Sequence, residues 1–256
     1  MTTLKASASR CVLIGDVVRS RATTDRQALH DALEAALAAA DAAVPPVTGL
    51  RVTVGDEFQG TYATLGEAVE AALRVRLALL PDVDTRFGLG RGEVAVLDAR
   101  RGIEDGPGWW AARAAIEAVD DVAGRAATRL ARTAYRAAPP GDALNTGDGG
   151  VTGDRRVTGD GGDAVDAGGP VPPGPTDPSE HAVNAALLCR DHLVGSLSDR
   201  SIRLLRGLMD PHTTQRELAA QEGISASAVS QRVRADGVGA VLAAQDLLRD
   251  LSLIHI

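Results

Sequence analysis

Aromatic side chains are almost missing: two each of Trp, Tyr and Phe make up 2% of 256 residues. Any core must therefore be filled by Leu, Val and Ala. Cysteine is as scarce. Cys11 and Cys189 stand far apart, which excludes a disulfide framework and a Cys-rich zinc site and points to a reducing compartment. Apolar runs are short. None approaches the roughly 18 residues a spanning helix requires, and the opening MTTLKASASR lacks the apolar stretch of a signal peptide. The expectation is a cytoplasmic protein with no membrane partner. What is present, 45% hydrophobic and 24% charged residues, suffices for one or two packed domains and is too balanced for wholesale disorder.

The net charge of -7 is unevenly spread. Residues 1–138 hold 17 Lys+Arg against 18 Asp+Glu, residues 139–180 hold 2 against 8, and residues 181–256 hold 8 against 8. The acidic middle is also where Pro and Gly concentrate, from Pro139-Pro140 to Pro178, as in a disordered linker. Within it Thr146-Gly147-Asp148 recurs at Thr152 and Thr158. A calcium-binding β-roll needs a longer nonapeptide array, so the repeat reads as drifted low complexity. The division expected is 1–138, a linker 139–180, and a second domain 181–250.

The first segment alternates strand and helix patterns. Cys11 to Val18 is β-rich. Asp25 to Ala43 carries Leu29, Leu33 and Leu37 at helical spacing behind an Asp25 cap, and Leu50 to Val54 and Phe58 to Ala63 flank a Gly55-Asp56 turn. Gly66 to Leu80 is a second helix. Arg86 to Leu97 reads as a strand pair interrupted by Gly88, Gly90 and Gly92, and a third helix begins near Pro107. The order βαββαβ is the ferredoxin-like arrangement, which makes the end of strand one and the hairpin turn neighbours. The fold class expected is α+β with a small all-α domain behind it.

That topology brings Asp16, at the end of strand one, to Asp56 and Glu57 in the hairpin. Carboxylates gathered there repel unless protonated or bridged by a divalent cation, and an oxygen-only set suits Mg2+ or Mn2+. Equally, Asp56 supplies turn geometry and Asp16 caps a loop.

The strings IGDVVRSR, TVGDEFQG, RFGLGRGEV and DGPGWWAARAAIE, over roughly residues 11 to 120, resemble the SatD family. The same blocks in the same order resemble the palm of class III nucleotidyl cyclases, and GDEF resembles the diguanylate cyclase hairpin. The resemblance implies Asp16 and Asp56 as metal ligands, with Glu57 beside them, and Arg113 as the arginine that stabilises the transferring phosphoryl groups. Two positions depart from the cyclase pattern. Val52 stands where the base-recognising lysine belongs and Trp109 where an asparagine does; valine bonds no purine and an indole has a single donor. Ordinary cyclase activity is therefore not expected. What remains is a metal and phosphate site with Arg19, Arg21, Arg86, Arg91 and Arg113 as candidate phosphate partners. Each of those arginines can equally be a solvated surface residue. Trp109-Trp110, the only tryptophans, offer either a ring that stacks on a base or a hydrophobic anchor at the sheet edge or a dimer contact. Cyclase-type palms act as dimers, so a homodimer is implied.

From Leu197 the pattern changes to short helices, Ser198 to Met209, Thr214 to Glu222 and Ser225 to Arg234, with a turn at Gly223-Ile224. Small Ala219, permissive Gly223, and Ile224 with Val229 fall at helix-turn-helix spacing. TTQRELAAQEGISASAVSQRV resembles the last DNA-binding region of sigma-seventy-type factors. The recognition helix presents Ser225, Ser227, Ser230, Gln231 and Arg234, with Gln231 and Arg234 reaching base edges and Thr213, Thr214 and Arg232 as phosphate contacts. A helical pair used only for packing fits the spacing too. The segment carries no net charge, so counterion release is small, and useful binding calls for a dimer or a partner such as RNA polymerase.

The final LSLIHI, residues 251–256, resembles a translated sequencing adapter and is set aside. The expectation is a regulatory DNA-binding protein whose degenerate cyclase-like domain senses a metal-nucleotide or dimerises. The alternative is a divergent metal-dependent nucleotidyl transferase or phosphohydrolase using Asp16, Asp56 and Arg113.

Overall fold

The computed structural model describes residues 8–18, 25–98, 102–139 and 178–250. Arg19, Arg21, nearly all of the acidic linker and the 251–256 tail lie outside the described residues.

The first part of the chain is mixed α+β. It runs β1 (Ala8–Val17), α1 (Arg26–Ala43), β2 (Thr48–Val54), β3 (Glu57–Tyr62), α2 (Leu65–Leu79) and β4 (Thr85–Asp98). Strand order β2-β3-β1-β4, with each pair antiparallel, is the ferredoxin-like sheet the order of elements implies. Asp25 caps α1 by accepting from the Ala28 N–H at 2.9 Å, and Leu29, Leu33, Ala36, Leu37 and Ala40 form its buried stripe. A Thr64/Glu67 capping box opens α2.

β4 is one unbroken strand rather than a glycine-interrupted pair. Its glycines do not break it; they let a helix lie directly on it. α3 (Pro107–Ala123) crosses there, so close that a Cβ on Gly90 would stand 2.1 Å from the Ala112 nitrogen and one on Gly88 2.2 Å from the Ala112 oxygen. Gly106, at φ 135°, turns the chain into that helix. β5 (Ile103–Asp105) hairpins onto the end of β4, and β6 (Thr133–Ala137) joins its other side in parallel. Two cores result. Val12, Ile14 and Val94 pack under α3, and Leu13, Phe58, Tyr62 and Phe87 pack under α1 and α2.

Among the described residues five helices follow: α4 (Pro178–Gly195), α5 (Asp199–Leu208), α6 (Gln215–Gln221), α7 (Ala226–Ala235) and α8 (Val238–Asp250). α5 and α8 pack on the sheet domain through α2, of whose fifteen residues twelve are buried. Leu73 and Leu77 share a cluster with Val194, Ile202, Leu205, Met209, Val238 and Val241. α4 also seals β6, an edge strand whose outer N–H groups would otherwise be unpaired. Asn184 accepts from the Tyr135 N–H and donates to its carbonyl, both at 2.8 Å. Glu180 accepts from Ala137 N–H at 3.0 Å, and Asp191 accepts from the N–H groups of Arg132 and Thr133 at 2.7 and 2.6 Å.

Candidate functional site

Asp16, Glu57, Arg86 and Arg113, four of the charged residues singled out in the sequence, converge on the α3 face of the sheet. β1 and β4 place Asp16 directly opposite Arg86, and side chains so paired lie on one face. Arg86 holds Asp16 with two bonds, Nε to Oδ1 at 2.9 Å and Nη2 to Oδ2 at 2.7 Å, and its Nη1 donates to Asp120 of α3. Beside it Arg113 of α3 forks onto Glu57 at 2.8 Å on both arms. Asp56 sits half-buried after Gly55, at φ 65° in the hairpin turn, and its charge acts on Arg86. The hydrogen bonds they donate to Asp16 and to Glu57 are the largest reasons that Arg86 and Arg113 are held above the ordinary guanidinium pKa.

Asp16, Asp56, Glu57, Glu117 and Asp120 thus surround two guanidiniums, leaving the cluster net negative. As arranged, both oxygens of Asp16 and of Glu57 are engaged by arginine, and among the described residues no group of three acidic, His or Cys side chains could hold a metal ion. The donor set as it stands fits bidentate arginine pairing.

Arg91 is not part of this cluster. It lies five residues farther along β4, opposite Cys11, and strand alternation turns it to the other face. Trp109 packs against the Val12 and Ile14 cluster with its indole N–H buried and unpartnered among the described residues. The ring that stands in solvent is Trp110, 55% exposed, donating to Asp105 at 3.1 Å. Asp120 and Glu117 escaped the sequence reading, although helical spacing from Arg113 would have found them: four and seven residues on is the same face.

The second candidate is the α5–α7 unit. Ser225 caps α7 by accepting from Ala228 N–H at 3.1 Å, Gly223 takes the left-handed conformation at φ 64°, and Leu204, Leu218, Ala219 and Val229 form a small core. Some residues expected at DNA are used internally. Thr214 and Glu217 form a capping box, Ser230 donates to Gln215 at 2.6 Å, Thr213 donates to Asp210 at 3.1 Å, and Arg232 pairs with Asp236 at 3.4 Å. Arg200 and Arg203 both meet Glu222, whose carboxyl they hold below its ordinary pKa, the Arg203 hydrogen bonds contributing most. Ser227, Gln231 and Arg234 remain exposed on α7 without a partner among the described residues, as does Arg216 on α6, which the sequence reading did not name.

Two family models match parts of the chain. Residues 199–235 match the winged helix-turn-helix DNA-binding model, and they span α5 to α7; the chain then continues into α8, and no strand follows residue 137 among the described residues. No curated protein matches the chain. Two solved structures of a bacterial light-regulated adenylyl cyclase overlap it with TM-scores of 0.41 and 0.38 at 14% and 12% identity, each covering 52% of this chain and 44% of theirs. The chain spans less than half of those structures, and likeness at that level carries no argument about activity. Among the described residues no helix is long and apolar enough to cross a membrane. Residues 11–137, the N-terminal region of this chain, match the SatD family model, and the match to a helix-turn-helix DNA-binding domain lies behind it.

Proposed function

We propose that the chain is a cytoplasmic transcription regulator that reads DNA with α7. The observation that carries this reading is the free outer face of α7, where Ser227, Gln231 and Arg234 point away from the protein while the residues behind them build the turn and the core. Few cations are left unpaired, so counterion release gives little affinity and a homodimer, or contact with RNA polymerase, supplies the rest. Exposed Leu97, Ile103 and Trp110 around the β4–β5 hairpin support self-association.

Electrophoretic shift of the full chain against a random duplex pool tests the reading. Selected sequences should bind with an affinity that falls as salt rises. Gln231→Ala and Arg234→Ala should each weaken binding by about 1–3 kcal/mol, roughly tenfold to a hundredfold. Arg203→Ala, paired away from the recognition face, should leave it unchanged. Absence of salt-sensitive binding to any sequence would overturn the assignment.

The sheet domain, in the same reading, senses a nucleotide at the Asp16, Asp56, Arg86 and Arg113 cluster: Arg86 and Arg113 would exchange carboxylate for phosphate oxygens, and a divalent cation would arrive on the phosphates, which supply the ligands that the cluster lacks. Manganese with nucleoside triphosphates is expected to raise the unfolding midpoint of the full chain by mass action, and Asp16→Asn/Asp56→Asn to remove the rise. No rise with any nucleotide would reduce this domain to a scaffold and dispose of the transferase alternative with it.

A further inference from the structure

Beside the sealed edge of β6 lies a cleft of about 420 Å3 with walls from two separate parts of the chain. Ala127, Leu130 and Ala131 of the connection ahead of β6 form one wall, and Leu188, Cys189 and His192 of α4 the other. No carboxylate, ammonium or guanidinium lines it. Thr128, also at its margin, spends its hydroxyl on the Val122 carbonyl at 2.6 Å. Polar character is thereby concentrated in Cys189 and His192, both exposed and three residues apart, hence on one face of α4.

Chemistry and size define the occupant. An ion would lose its hydration against this lining and gain no counter-charge. A docked helix, about 10 Å across, exceeds the space, whereas small-molecule sites occupy roughly 300–1,000 Å3. We propose that the cleft binds a small, uncharged, predominantly apolar molecule, with one polar atom directed at Cys189 and His192. The site is distinct from the acidic and arginine cluster and does not depend on the DNA-binding reading. Its position gives occupancy a consequence. Leu188 packs against the α3 core cluster, and Asp191, two residues past Cys189, bonds the start of β6. A molecule wedged between the walls favours the state in which α4, and the helix-turn-helix behind it, stays docked on the sheet domain.

N-phenyl-1-naphthylamine, an uncharged aromatic fluorophore, is the probe for the full-length chain. A saturable fluorescence rise at one probe per chain is expected. Cys189→Trp, which fills the cleft from the α4 wall, and Ala127→Phe, which fills it from the other, should each weaken probe binding at least tenfold, while Cys189→Ser retains it. Alkylating the unmutated chain with N-phenylmaleimide gives a blocked form that needs no refolding variant. The reagent reaches Cys189, since Cys11 is buried with its thiol pushed up to about 12, and alkylation should abolish the rise. A rise that never saturates, or a saturable one that alkylation and both filling variants leave intact, overturns the proposal.

Discussion

Asp191→Ala is expected to cost about 3–5 kcal/mol of folding free energy, the range for removing one partner of a buried ion pair. Asp191 is 0% exposed, and the two guanidiniums that meet it, Arg76 and Arg190, are 1% and 2% exposed. Arg76 would keep its bonds to Asp84. Arg190 would keep only Gln245, the Thr133 hydroxyl and the Val69 carbonyl, with no opposite charge, although burial already pushes it below its ordinary pKa and Asp191 is what opposes that push. The Arg132 and Thr133 N–H groups at the strand edge would lose their acceptor as well. Against a typical total of about 5–15 kcal/mol, the loss is a large fraction. Urea unfolding followed by far-ultraviolet circular dichroism measures it. Asp191→Asn keeps one acceptor oxygen and should fall between the two. A loss under about 1 kcal/mol would mean that the helices are not held to the sheet by this network.

The same contacts explain what the sequence could and could not reveal. β1 to β3 were legible because Leu, Val and Phe alternate or recur with the period of their elements, whereas the glycines of β4 read as breaks in what is one strand. The helix-turn-helix was legible because Ala219, Gly223 and Val229 each answer a geometric demand at a fixed spacing. α4 was not. Its buried stripe includes Glu180, Arg190 and Asp191, so the polar side chains that seal β6 erase the hydrophobic period that would have announced the helix. β6, five residues of TAYRA, is too short to be told from a helical stretch by pattern alone.

At the candidate site, the convergence of Asp16 with the hairpin acids followed from topology. That Arg86 would be the residue facing Asp16 needed the β1–β4 register, which pattern alone does not fix. Arg91 shows the limit of choosing by residue type. An odd-numbered offset along a strand reverses the face, and Arg91 ends beside Cys11 rather than beside Arg86.

Gly90→Ala is expected to destabilise by about 1–3 kcal/mol, the usual cost of overpacking a filled core, and Gly90→Val by more. The atoms in the way are backbone: Ala112 N at 2.1 Å and Gly108 O at 2.3 Å from the added Cβ. No side chain can rotate aside, so α3 itself must lift from the sheet. Gly124→Ala, at the end of the same helix, is the matched control. Its φ of -64° suits alanine, its nearest contact would be 3.4 Å, and it should be neutral or stabilising by about 0.4–1 kcal/mol. Thermal unfolding of the two variants separates local overpacking from a general intolerance of glycine replacement, and a Gly90→Ala midpoint equal to that of the unmutated chain would refute the argument. A second effect should accompany the first. Arg113 and Asp120 ride on α3 and reach Glu57 and Arg86 across the sheet, so lifting the helix widens those pairs. Any ligand response at the acidic cluster should then weaken in Gly90→Ala and persist in Gly124→Ala, because the glycine floor of β4 is what sets the spacing between the arginines and the carboxylates.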